Sequence, residues 1–249
     1  MKSILYIHIG GGLPAYLETN IKVFRRYNPF NPVFIYCENI TPVEKEVYEN
    51  MNCFFIHQKH FKLQKTPTLN HNGFIQRCIE RFFLIRDIVE VFNIDFYAEN
   101  DVMIFDSIDK IKFEKTFVQQ TSDYHATPSV MGIEKKSYDK LIQFIIAEKD
   151  SDDMVILRKA ITKGIIEGSN TYPEDGIEPI FDGASYGQFL GGTHESGPGW
   201  AEDAHYIGRE ILNKTIRPFF DGKPMVERDG KVYPLFNLHV HSKKLELFA

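Results

Sequence analysis

Short apolar runs alternate with stretches whose apolar residues recur at steps of three and four, most regularly in the first part of the chain. Ser3 to Ile9 predicts a buried strand, the GGGLP turn follows, and AYLETNIKVFRRY has helical spacing. NPFNP stops that helix, and VFIYCE resumes as a second strand. PVEKEVYENM predicts a polar helix and CFFIH a short third strand. From Asn72 to Phe92 runs the longest helical pattern, with Ile75, Cys78, Ile79, Phe82, Ile85, Val89 and Phe92 in one stripe and Arg77 and Arg81 on another face. This β-α-β opening favours a parallel sheet with a nucleotide-sized crevice at its carboxyl edge. A strand in IDFYAENDVMIF comes next, then shorter strands in FVQQTS and SVMGIEK, and an amphipathic helix in KKSYDKLIQFIIAEK. Asp152 or Asp153 is placed to cap a further helix, MVILRKAITKGII. Beyond about Gly164 the pattern weakens into GSNTYPEDGIEP and FDGASYGQFLGGTHESGPGW, and so long a glycine-rich stretch predicts a binding loop. The expectation is one α/β domain over residues 1–249, Rossmann-like, with a central mostly parallel mixed sheet flanked by helices.

Composition narrows the function classes. The chain has 249 residues, 43% hydrophobic and 25% charged, which suits a folded globular protein with a sizeable core. A formal net charge of -5 offers no general basic field, so nucleic acid is not expected as a partner. Cys37, Cys53 and Cys78 are odd in number and lack CxxC spacing, which points to free thiols in a reducing, cytoplasmic setting. MKSILYIHIGGG reads as a first strand rather than a signal peptide, and no stretch reaches membrane-spanning length, leaving peripheral membrane contact as the open membrane role.

Candidate chemistry lies at the strand ends. Glu99 and Asp101 are two apart, so on an extended strand they share a face with Asn100 opposite, and hard carboxylate oxygens suit Mg²⁺ or Mn²⁺. In HVHSK, His239 and His241 would likewise share a face if extended, with Lys243 in register. Imidazole is a ligand for Mn²⁺-class metals, and a nearby lysine would neutralise a diphosphate leaving group. Gly10 and Gly11 depart from the GxGxxG and GxxxxGKS patterns but permit close backbone approach to a ligand. Glu38, at the end of the second strand, is placed to bond a ribose or base. The glycines of FDGASYGQFLGG, Gly191 and Gly192 among them, suggest tight packing around a ligand. Trp200 is the single tryptophan, set among glycines, and its ring suits the C–H face of a sugar.

FYAENDVMIF resembles the metal-binding DxD region of GT-A glycosyltransferases, with Glu99 standing where the first Asp is usual and Asp101 as the better-matched ligand. The resemblance implies a GT-A-like fold with a nucleotide-sugar-binding half over about residues 1–110. Residues 111–249 would supply the acceptor-binding half and a C-terminal metal-binding segment. It implies Arg81, on the helix before that strand, as a partner of nucleotide phosphate or a brace for the carboxylates. His239 or His241 would complete the metal sphere, and the loop of Gly10 and Gly11 would lie near the nucleoside. GWAEDAHYIG is similar, loosely, to the GW…ED segment of inverting GT-A galactosyltransferases. That implies Trp200 as the acceptor platform and Glu202 or Asp203 as the catalytic base, with Asp182 as the other base candidate. The implied activity is Mn²⁺- or Mg²⁺-dependent transfer from a nucleoside diphosphate sugar to a hydroxyl of a glycan or glycolipid, as in polysaccharide biosynthesis. The same residues would also serve a metal-dependent hydrolase of nucleotide sugars or phosphoesters, or a non-catalytic carbohydrate- or nucleotide-binding module.

Overall fold

Strands that are apolar on both faces belong inside a covered parallel sheet. β1 (Ile4–His8) and β2 (Val33–Cys37) read ILYIH and VFIYC and are buried almost throughout. The computed structural model describes residues 1–57, 73–148, 152–192 and 205–249. In it β1 and β2 pair in parallel across the crossover helix α1 (Tyr16–Tyr27). α2 (Pro42–Glu49) starts on a capping box in which Thr41 and Glu44 satisfy each other's backbone N–H, and it leads to β3 (Cys53–Ile56) beside β2. α3 (Gly73–Val89) follows the predicted apolar stripe and delivers β4 (Phe96–Ala98) to the other side of β1.

After β5 (Val102–Ile104) come β6 (Phe117–Gln120), β7 (Ala126–Gly132), α4 (Lys135–Ala147), α5 (Asp153–Thr162) and β8 (Glu167–Ser169). Among the described residues the central sheet has seven strands in the order β3-β2-β1-β4-β7-β6-β8, and the antiparallel pairings are those of β7 with β4 and β6. This is the mixed, mostly parallel, helix-flanked sheet that the hydrophobic pattern predicts. Phe82 and Ile85 of α3 pack with Leu141 of α4 and Leu157 of α5 in one core, whereas Leu17, Ile21 and Phe24 of α1 belong to a second. Among the described residues no helix is long and apolar enough to cross a membrane.

The C-terminal part departs from the sequence expectation. α6 (Tyr186–Gly191) and α7 (Tyr206–Leu212) precede an antiparallel meander of β9 (Ile216–Phe220), β10 (Pro224–Arg228) and β11 (Lys231–Pro234). Its strands carry no clean period-two pattern, because prolines interrupt them and much of their surface stays partly exposed. The turn between β10 and β11 has positive φ at Asp229 and Gly230, 52° and 74°, as a tight hairpin requires. β12 (Asn237–His239) then pairs antiparallel with β5, setting His239 opposite Val102. This small ribbon carries the C-terminal histidines to the carboxyl end of β4.

Candidate metal and substrate site

Glu99 and Asp101 do not lie on one extended strand. β4 ends at Ala98, the Val102 N–H donates to the Glu99 carbonyl at 3.0 Å, and β5 leaves the large sheet to pair with β12. The two carboxylates therefore converge through a turn rather than through strand alternation. Asn100 does point elsewhere, as expected, and its Nδ2 donates to Ile7 O of β1 at 3.0 Å. The buried Asn20 of α1 stitches the turn from below, donating Nδ2 to Asn100 O and Val102 O, both at 2.9 Å.

HVHSK also departs from an extended strand after His239. The Lys243 N–H donates to Val240 O at 3.0 Å, and Lys243 has φ +64°, so its side chain returns by a turn to bond the Asp101 carboxylate. His239 Nε2 lies 3.2 Å from Asp101 Oδ2 and 3.6 Å from Glu99 Oε2, while His239 Nδ1 lies 2.8 Å from Ser129 Oγ. Burial would raise the Asp101 carboxyl, yet His239 and Lys243 together hold it well below the usual carboxylate range. Burial would lower His239, but Asp101 and then Glu99 raise it above the ordinary imidazole value.

Glu99, Asp101 and His239 each offer one ligand atom, and these atoms lie within 4.8 Å of one another. Two hard carboxylate donors with one imidazole nitrogen fit Mn²⁺ or Mg²⁺, and the Ser129 contact on Nδ1 orients the ring as metal-binding histidines require. The His241 ring packs against His239 at 4.4 Å between centroids, tilted by 55°, but lies outside this triad. Burial, and after it the His239 neighbour, push His241 down to about 3.

Three solved structures similar to this chain are glycosyltransferases. The PaToxG glycosyltransferase is 12% identical with a TM-score of 0.48, over 65% of this chain and 69% of that one. Mouse xyloside xylosyltransferase 1 is 10% identical with a TM-score of 0.47, over 70% and 88%. GlyE of Streptococcus pneumoniae TIGR4 is 13% identical with a TM-score of 0.42, and the match spans 68% of this chain but 44% of GlyE. No family model matches the chain, and no curated protein is significantly similar to it.

Arg81 braces the turn from the α3 side. One terminal nitrogen bonds Glu99 and lies 3.2 Å from Tyr97 OH, and the other reaches Asp153 Oδ2 at 2.8 Å. Asp152 is the cap of α5, accepting Val155 N–H at 2.9 Å, which frees Asp153 to face Arg81. Burial raises the Asp153 carboxyl despite Arg81. The sequence reading missed Asp153 as a site residue, although an Asp–Asp pair at a helix start leaves one carboxylate without a capping role.

A cavity of about 490 Å³ opens over this cluster, with Arg81, Glu99, Asp101, His239, His241 and Lys243 on its charged side and Phe74, Pro128 and Met154 among its apolar lining. A second cavity of about 290 Å³ shares Arg81, Glu99 and Asp101 and extends to Ile7, His8, Ile9 and Tyr16 at the end of β1. Gly10, at φ +124°, donates its N–H to Glu38 Oε2 at 3.0 Å, while Gly11 has open space at its Cβ position. Gly10 and Glu38 are thus tied to each other beside the β1 end.

Other expected site residues sit elsewhere. Asp182 is fully buried and accepts backbone N–H groups from Ser185, Tyr186 and Gly187 at 2.7–3.0 Å and from His239 at 2.9 Å. A carboxylate so filled is a bracket between α6 and β12, which does not suit a base that must meet an acceptor hydroxyl. A Cβ on Gly191 would press on Phe248 and Val240, and Gly192 ends α6 at φ +80°, so both glycines are accounted for by packing and helix termination. Trp200, Glu202 and Asp203 lie outside the described residues.

Proposed function

We propose that this protein is a GT-A-type glycosyltransferase that moves a sugar from a nucleoside diphosphate sugar to a hydroxyl of a glycan or glycolipid, using Mn²⁺ or Mg²⁺. The observation that carries the reading is the convergence of Glu99, Asp101 and His239 Nε2 at a cavity on the carboxyl edge of β1 and β4. Ligands of open α/β sheets bind at that edge. A divalent cation held by these three side chains would offset charge developing on the departing diphosphate.

The chain's own residues supply the rest. Arg81 keeps Glu99 aimed at the cluster, and Lys243 sets a positive charge on the cavity wall beside Asp101. The nucleoside lies toward Gly10, Gly11 and Glu38, and the sugar and acceptor meet over the larger cavity. If transfer inverts, Asp203 or Glu202 takes the acceptor proton and Trp200 carries the acceptor ring; a retaining transfer does not require that base. The free thiols Cys37, Cys53 and Cys78 support a reducing, cytoplasmic setting.

The test is product analysis. The protein is incubated with nucleoside diphosphate sugars and glycan or glycolipid acceptors, with Mn²⁺, Mg²⁺ or chelator. A glycoside formed only with metal supports the reading, whereas free sugar or phosphate as the main product in the presence of acceptors would make the protein a hydrolase.

A further inference from the structure

The FDG segment at residues 181–183 grips His239 from two directions. Asp182 accepts the His239 backbone N–H, and the Asn237 side chain exchanges hydrogen bonds with the Asp182 backbone at 3.0 and 2.9 Å. The Gly183 carbonyl ends a hydrogen-bonded chain that reaches the imidazole. Thr127 Oγ1 donates to Gly183 O at 3.3 Å, Ser129 Oγ lies 3.2 Å from Thr127 Oγ1, and His239 Nδ1 lies 2.8 Å from Ser129 Oγ. Thr127 is nearly buried, and Ser129 has no exposed surface.

A carbonyl can only accept, and that gives the chain a direction. With Thr127 O–H on Gly183 O, Ser129 O–H turns to Thr127 Oγ1 and the Ser129 lone pair is left for His239 Nδ1–H. When a cation replaces the proton that Nε2 shares with Asp101, the remaining imidazole proton is then on Nδ1, and the Nε2 lone pair faces the cation beside Glu99 and Asp101. The opposite tautomer would put Nε2–H on Asp101 at 3.2 Å and close the cluster to a cation. Ser129 also accepts the Glu99 N–H on its own carbonyl at 3.1 Å, so one residue touches both halves of the cluster.

We infer that Ser129, backed by Thr127 and the Gly183 carbonyl, is a positioning residue that sets the tautomer of His239 and so makes Nε2 a cation ligand. This rests on the metal-dependent reading above. Outer partners of metal-binding histidines typically carry about 10- to 100-fold of metal affinity. Mn²⁺ affinity is to be measured by electron paramagnetic resonance on the full chain for wild type, Ser129→Ala, Thr127→Val and Thr127→Ser, with thermal midpoints recorded alongside.

Ser129→Ala should weaken Mn²⁺ binding by about tenfold or more in a protein that stays folded at the assay temperature. The near-isosteric Thr127→Val should weaken it by a smaller factor, and Thr127→Ser, which keeps the hydroxyl, should restore wild-type affinity. Wild-type affinity in Ser129→Ala overturns the inference while leaving the metal reading intact. Equal losses in Thr127→Val and Thr127→Ser would make Thr127 a matter of packing and overturn its part in the relay. A wild-type protein that binds no Mn²⁺ overturns the metal reading and this inference together.

Discussion

Arg81 bonds Glu99 with one terminal guanidinium nitrogen and Asp153, at 2.8 Å, with the other. These side chains are 13%, 19% and 10% exposed, so the ion pairs are largely withdrawn from water. Removing one partner of a buried pair leaves its counter-charge stranded. Arg81→Ala should therefore cost about 3–5 kcal/mol in urea denaturation, and Arg81→Lys, lacking the planar fork, should recover only part of it. A cost within about 0.5 kcal/mol, as for an ordinary surface change, would contradict a bracing role.

The buried His205 and the partly buried His241 predict acid sensitivity of the metal-free protein. His205 is pushed down to about 4 by burial, then by His125 and Arg209, and His241 to about 3 by burial, then by His239. Below pH 6.5 the unfolded chain takes up protons that these native rings refuse, so stability falls as pH drops through that window. His239 is raised, and its contribution is full below 6.5 and lost at higher pH, so it offsets part of the fall just above pH 6.5 and leaves the fall below it intact. At pH 5 each lowered histidine should cost about 2 kcal/mol, one pKa unit being about 1.4 kcal/mol. Denaturation midpoints between pH 7 and 5 should show the fall, and His205→Gln should flatten its slope; an unchanged slope in that variant refutes the assignment.

Gly187 allows α6 to approach β12, because a Cβ there would overlap the His239 carbonyl. Gly187→Ala should destabilise the protein by about 1–3 kcal/mol, as overpacking does. Because the strain falls on the backbone of His239, Mn²⁺ affinity should drop as well. Calorimetry with metal titration checks both, and full stability with full affinity would show that the contact is not confining.

For the proposed base, Asp203→Asn should lower turnover by at least about 10²-fold, the usual scale of general-base catalysis, with little change in donor affinity. Steady-state kinetics with donor binding measured separately decide it. Unchanged turnover would pass the role to Glu202.

The first half of the sheet was legible because β1 to β4 are apolar throughout and the longer helices carry full stripes: Ile79, Phe82 and Ile85 mark α3 in sequence as they do in the core, whereas β8, reading Glu-Gly-Ser, carries no such signal. The site was legible in residue identity but not in geometry. Strand alternation would bring Glu99 to Asp101 and His239 to Lys243, whereas in the molecule turns at Val102 and Lys243 do so. Turn geometry depends on tertiary bonds such as those from Asn20, which leave no periodic trace. Asp182 illustrates the same limit of sequence, since a carboxylate beside glycines reads alike whether it meets substrate or four backbone N–H groups.

The most direct measurement is the thermal midpoint of wild type and Asp101→Ala with a panel of nucleoside diphosphates and nucleotide sugars, each with Mn²⁺, Mg²⁺ or chelator. A ligand that binds only the folded state raises that midpoint. The account predicts a metal-dependent rise with one nucleotide family in wild type, absent in an equally folded Asp101→Ala. No rise with any nucleotide, or the same rise with chelator and in Asp101→Ala, would contradict it.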